Sequence, residues 1–264
     1  TRKASTGVRT DVSTVDKAVI LLGFEAVRNA VLSVKLFEVF ARPDNAASTA
    51  HYASAAQFAE GRYGDLGSTR RQARLLAACL PGADPAVASA LAIAPVLVFT
   101  GHMVDAPGRP DARFPASLEP AVREALRARI AAIRPVAAYG SAACGADLLC
   151  LELVREMGGE THVVLPFPAD EFRRASVDFA AGDWGARFGR ALEAADSVTV
   201  TSDHRASGSS ATFEYANLVL TGMARLRARL LDGPLRGLAA VDPAAAGAAG
   251  GVASLVPLWE ARGI

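Results

Sequence analysis

From residue 94 onward, short continuous apolar runs alternate with longer stretches of helical period. The runs at 96–99, 136–139, 161–165, 197–201 and 237–241 predict strands. The segments 118–133, 147–157, 170–177, 184–194 and 212–231 predict helices, the first with Ser117 as its N-cap. Apolar strands that alternate with helices predict a parallel sheet covered on both faces, with right-handed crossovers. The fold class is therefore α/β, a Rossmann-like doubly wound sheet of about five strands over 92–264. The Gly/Ala run 244–251 predicts a loop before a last short helix that contains Trp259.

Before residue 92 the pattern is helical after a polar, uncommitted stretch at 1–13. Val19, Leu22, Ala26, Ala30, Val34 and Phe37 keep a helical period after an N-cap near Ser13 or Thr14, with a break at Gly23-Phe24-Glu25. Arg42-Pro43-Asp44-Asn45 predicts a turn. A helical pair follows at 50–59 and 70–80, and Pro81-Gly82-Ala83-Asp84-Pro85 closes the region. The expected organisation is thus a helical segment over 1–45, a helical hairpin over 46–91 and the α/β domain over 92–264. Thr1 stands where a methionine would begin a full chain, so a piece of something longer is expected.

Composition narrows the function classes. Hydrophobic residues make up 51% of the 264, enough for a globular core, and the net charge of +1 gives no global field for nucleic acid. No apolar run approaches the roughly 18–20 residues needed to span a bilayer. Cys79, Cys144 and Cys150 have no paired spacing, and no secretory signal is visible. Reduced thiols in a cytoplasmic protein are expected. His51, His102, His162 and His204 are scattered, so no metal site is expected.

In an open parallel sheet, ligands sit beyond the carboxyl ends of the strands. Three loops leave such ends. The first, 99–115, is long for a strand-to-helix connection, where roughly 2–6 residues are usual. It holds Gly101, His102, Asp105, Arg109 and Arg113. The arginines can grip a phosphate bidentately and His102 can reach a ribose or base. The second is Tyr139-Gly140-Ser141-Ala142-Ala143-Cys144-Gly145-Ala146-Asp147. Gly140 and Gly145 allow close backbone approach, Ser141 offers a hydroxyl, and Asp147 can cap the helix or bind a ribose hydroxyl. Backbone N–H groups at such a turn suit an anion such as phosphate. The Lys-Ser/Thr of a P-loop is absent. Cys144 has no base partner in the pattern and reads as a small buried thiol. The third loop, 201–217, is rich in hydroxyls and supplies Thr201, Gly208, Thr212 and Asn217 as binding candidates. It also supplies Glu214 as the catalytic candidate, either holding a ribose diol or activating water at a glycosidic carbon.

Three resemblances accompany these residues. The stretch Ala18-Val19-Ile20-Leu21-Leu22-Gly23-Phe24-Glu25-Ala26-Val27-Arg28-Asn29-Ala30-Val31-Leu32-Ser33-Val34 resembles part of the HDOD family, an HD-related all-helical signalling domain, over about 12–40. No HD pair of metal ligands accompanies it, so no phosphohydrolase chemistry is implied. Tyr52, Ala55, Ala56 and Ala59, with Gly64-Asp65-Leu66 in the turn, resemble a single tetratricopeptide-type hairpin over 48–80. Phe99-Thr100-Gly101-His102-Met103-Val104-Asp105, Gly140-Ser141-Ala142-Ala143-Cys144-Gly145-Ala146-Asp147 and Val164-Leu165-Pro166-Phe167 are similar to the SLOG superfamily, which includes DprA-type and LOG-type proteins, over 94–242. That similarity implies binding of a nucleotide or nucleotide-derived signal. LOG enzymes cleave an N-glycosidic bond with a Gly-Gly-x-Gly-Thr-x-x-Glu loop. Here Gly208-Ser209-Ser210-Ala211-Thr212-Phe213-Glu214 keeps the Thr and Glu without the paired glycines.

The leading expectation is a cytoplasmic sensor domain for a nucleotide-derived molecule, without a resident cofactor, its ligand a nucleotide or an NAD-derived compound. A protein partner through the N-terminal helices and self-association are the macromolecular partners expected; membrane and nucleic acid are not. The alternatives are an N-glycosidase acting through Glu214 and a helical protein-interaction scaffold.

Overall fold

The computed structural model describes residues 67, 70, 71, 92–205, 210–242 and 252–264. The helices expected before residue 92, apart from those three positions, lie outside the described residues, as do Cys79, Gly208 and the run 244–251. The chain divides into two units, one of 1–93 with Leu230–Asp232 and one of Ala94–Arg229 with Gly233–Ile264. The second unit holds the sheet.

The element order is β1 (Val96–Gly101), a 3-10 turn (Ala116–Leu118), α1 (Glu119–Ile133), β2 (Ala137–Gly140), α2 (Ala146–Glu156), β3 (Glu160–Leu165), α3 (Ala169–Ser176), α4 (Trp184–Ala194), β4 (Ser197–Val200), α5 (Ala211–Leu231), β5 (Leu235–Ala240) and α6 (Val252–Glu260). Every predicted strand and helix of this half is present within a few residues of its expected place. Ser117 lies inside the 3-10 turn rather than capping α1, whose first turn is led by Glu119 and Pro120. Proline fits there because the first helical N–H groups lack intrahelical partners anyway.

All five strands are parallel, in the order β4-β3-β2-β1-β5. The chain steps one way from β1 to β4, then returns past β1 to β5. Right-handed crossovers therefore place α1, α2, α3 and α4 on one face and α5 on the other. Alternation along the strands matches this division. Leu97, Phe99, Ala138, Val163 and Leu165 join Leu126, Ile130, Leu149, Leu153, Phe172 and Phe188 in one core. The opposite set, with Val96, Val98 and Tyr139, belongs to the α5 and α6 face, where Leu220, Ala224 and Trp259 are buried. There the Trp259 indole N–H donates to Thr221 Oγ1 at 3.1 Å, which satisfies a buried donor.

Helix α2 lies between α1 and α4 over the sheet, and eight of its eleven residues are buried. That position explains why Ala-Asp-Leu-Leu-Cys-Leu carries no polar stripe until Glu152. Its N-terminus ends at the carboxyl edge of the sheet, where the candidate residues gather. No described helix is long and apolar enough to cross a membrane.

Candidate functional site

A cleft of about 370 Å³ opens beyond the carboxyl ends of β1, β2 and β3. Its volume falls in the range of small-ligand sites, roughly 300–1,000 Å³. The loop after β1 contributes Gly101, His102, Met103, Asp105, Arg109 and Arg113. The loop after β2 contributes Ser141, Ala143 and Asp147, and the end of β3 contributes Val164 and Pro166. Arg205, Phe213 and Asn217 close the third side.

The long first loop is held by its own carboxylate. Asp105 Oδ2 accepts the backbone N–H of Arg113 and of Phe114, both at 2.8 Å, and the Asp105 N–H donates to the Phe114 carbonyl at 2.9 Å. Asp105 thus shapes the loop that carries Arg113. Its other oxygen is 3.5 Å from Arg109 Nε, and Arg109 also donates to the Asp111 carbonyl at 3.0 Å. The Arg113 guanidinium has no hydrogen bond or ion pair among the described residues. A cation held in a cleft without a protein partner is a ready anion ligand.

His102 anchors the same loop through its backbone. Its N–H donates to the Ala240 carbonyl and its carbonyl accepts the Ala146 N–H. The ring Nε2 is buried without a partner. Burial and the neighbouring Arg113 charge hold the imidazole below its ordinary value, against the opposing pull of Asp242 and Asp105. The neutral ring can then accept or donate one hydrogen bond to a ligand.

Four backbone donors of the second loop are turned inward. The N–H groups of Ala143, Cys144, Ala146 and Leu148 donate to Asp147 Oδ2, the Ser176 carbonyl, the His102 carbonyl and the Ala143 carbonyl. Helix N-termini bind phosphate through free N–H groups, and these four are occupied. Gly145 adopts φ +105, and a Cβ there would sit 2.7 Å from both the His102 oxygen and the Val104 nitrogen. A Cβ on Gly140 would sit 2.0 Å from the Phe99 ring. These two glycines allow close packing and do not line the cleft.

Asp147 is the unusual group. Its side chain is almost fully buried, with only 7% of the residue exposed, and it lines the cleft. It does not cap α2, whose N-cap is Gly145. One carboxyl oxygen accepts the Ala143 N–H at 3.3 Å, and the other has no partner. Burial, only partly offset by that one N–H, pushes the carboxyl up to about 7. Cys144 beside it is buried and its thiol is pushed up to about 12, chiefly by burial, so it is no thiolate nucleophile near neutral pH.

Several expected residues stand elsewhere. Thr201 Oγ1 donates to the carbonyls of Leu165 and Pro166, at 3.3 and 3.2 Å, and so ties β4 to the end of β3. Thr212 has a buried hydroxyl without a partner but is outside the cleft lining. Glu214 is exposed, accepts the Ser210 hydroxyl at 2.7 Å and is also outside the lining. Arg205 was missed as a site residue. Its guanidinium stands 5.9 Å from the Phe167 ring centre, on the cleft's third wall. Its place in the loop after β4 was the available signal. Among the described residues, no group of His, Cys, Asp and Glu side chains is arranged to hold a metal ion.

Beside the cleft lies a second hollow of about 480 Å³ between α1 and β5, which shares His102 and Arg113 and is otherwise mostly apolar. It marks the crevice between β1 and β5 where the strand order reverses.

Compared with known families, residues 4–63 match the HDOD domain. The match contains the 12–40 segment and continues past the expected boundary at 45 into the first helix of the expected hairpin. A search of curated proteins gives no match to the chain.

Proposed function

We propose that the α/β unit is a sensor domain of the SLOG type that binds a nucleotide-derived small molecule in the cleft beyond β1, β2 and β3. The observation that carries this reading is the set of unanswered polar groups in one cavity. Arg113 has no partner among the described residues, and His102 Nε2 and one oxygen of Asp147 are buried without hydrogen bonds. Buried polar atoms are normally paired, so such a cluster points to a missing partner. A guanidinium for an anion, an imidazole and a carboxyl for neutral polar groups, and an apolar wall of Val164, Pro166 and Phe213 together suit a sugar phosphate joined to a flat apolar moiety. The HDOD-matched segment and the tetratricopeptide-like hairpin at 48–80 would transmit the bound state to a protein partner, in a cytoplasmic setting.

The N-glycosidase alternative requires Glu214 to face the reacting carbon. An exposed Glu214 held by Ser210 outside the cleft lining gives that reading no support.

The test is a thermal-shift and titration panel of AMP, ADP, ADP-ribose and NAD against the whole chain. Binding by at least one member, weakened about tenfold or more in Arg113→Ala, is the expected result. A panel without a shift, or equal binding by wild type and Arg113→Ala, defeats the reading.

A further inference from the structure

The anion and the sugar of such a ligand have two candidate positions in the cleft, the arginine side and the α2 side. The α2 side looks at first like the phosphate end, because a helix N-terminus and a small-residue turn meet there. Its chemistry is otherwise. The turn's donors at Ala143, Cys144, Ala146 and Leu148 are occupied within the protein. Beside these occupied donors stands the unanswered oxygen of Asp147, more than nine-tenths buried. Whenever that carboxyl is ionised, it would repel an incoming phosphate in a medium of low dielectric constant. A ligand cation there would face Arg109, Arg113 and Arg205, which line the same cavity. The group that fits is therefore neutral and donates one hydrogen bond. Ser141, on the same wall, offers a hydroxyl for a second.

We infer that Asp147 accepts a hydroxyl of the ligand's pentose, with Ser141 beside it, and that the ligand lies with its phosphate toward Arg113. This orientation rests on the reading of the cleft given above. It makes Asp147 the residue that separates ribose from deoxyribose. A site that hydrogen-bonds a substrate hydroxyl rejects the analogue without it, because a buried polar atom is then left unpaired.

The experiment titrates the whole chain with AMP, 2′-deoxy-AMP, 3′-deoxy-AMP and inorganic phosphate, in wild type, Asp147→Asn and Asp147→Ala. For wild type, AMP should bind about tenfold to a hundredfold more tightly than at least one deoxy form. That ratio should collapse toward one in Asp147→Ala, while inorganic phosphate binds both proteins alike and so certifies folding. Asp147→Asn, which keeps the shape and an acceptor for the Ala143 N–H, should lose most of the discrimination without losing the fold. Equal binding of AMP and both deoxy forms by wild type overturns the inference and leaves the cleft reading intact. So does a ratio that survives in both variants, or phosphate affinity that rises sharply when Asp147 is neutralised while sugar discrimination is unchanged. Absence of binding by every nucleotide defeats the cleft reading itself.

Discussion

The two ends of helix α2 treat buried charge in opposite ways. Near its C-terminal half, Glu152 accepts Arg187 Nε and Nη2 at 2.7 and 2.8 Å and Arg123 Nη1 at 2.5 Å. Arg187, 7% exposed, also donates to Glu119 at 2.6 Å and lies 4.0 Å over the Trp184 ring. Arg123 continues to Glu156. Burial alone would raise Glu152, yet hydrogen bonds from Arg187 and Arg123 hold its carboxyl below the usual range. At the N-terminal end, the same helix buries Asp147 with one backbone N–H in answer, and the carboxyl is pushed up to about 7. The first arrangement is closed and ties α1, α2 and α4 together. The second is open and faces a cavity. A charge that the fold satisfies ties elements together, while one left unsatisfied costs stability.

Substitutions should separate the two ends, beginning with the largest effect. Arg187→Ala leaves Glu152 and Glu119 short of a partner in a buried setting, so it should destabilise by about 3–5 kcal/mol, read as a drop in the denaturant midpoint. A loss below about 1 kcal/mol would mean that the cluster is a surface network in disguise. Gly145→Ala should cost about 3 kcal/mol or more, because φ +105 is strained for alanine and the new Cβ would meet backbone at 2.7 Å. Its thermal midpoint should fall even though the residue touches no ligand.

Asp147→Asn should act in the opposite direction. The folded-state value of about 7 lies above the ordinary 3.8, so the native state keeps a proton that the unfolded chain has released. Asp147's favourable contribution is full below about pH 4 and is lost as pH rises toward 7, on the order of 4 kcal/mol over that range. The asparagine variant should flatten that slope and be more stable than wild type at pH 8, by about 1–3 kcal/mol. Chemical denaturation at pH 4, 6 and 8 decides it; parallel slopes for the two proteins would refute the open-end description. Smallest is Arg113→Ala. Because the guanidinium has no partner among the described residues, unfolding free energy should change by less than about 0.5 kcal/mol while nucleotide affinity falls. A large stability loss there would show the arginine to be structural.

Much of this fold is legible along the chain. The strands announce themselves as uninterrupted apolar runs because both faces of the sheet are covered, and the helices between them carry their period. The candidate loops are legible for a topological reason, since parallel strands end on one edge and the long connection carrying His102, Asp105, Arg109 and Arg113 must begin there. Glu214 shows the limit. Its loop is at the right edge, but α5 turns the stripe of Phe213, Ala216 and Asn217 to the cleft and leaves Glu214 off that stripe. The state of the donors in the β2–α2 turn is not legible along the chain, because free N–H groups cannot be counted without knowing what packs on them. The Ser176 carbonyl and the His102 carbonyl come from distant parts of the chain and occupy two of them.

Local chemistry along the sequence settled the elements, their parallel arrangement and the edge where the candidate loops emerge, because periodicity and apolar runs reflect burial directly. Tertiary structure alone decided that β5 returns beside β1, that Arg187 closes a circuit across α1, α2 and α4, and that Asp147 is left with an unanswered oxygen. These depend on contacts between residues far apart in the chain. Whether a charge is satisfied is a property of its neighbours in space, and no spacing along the sequence records it.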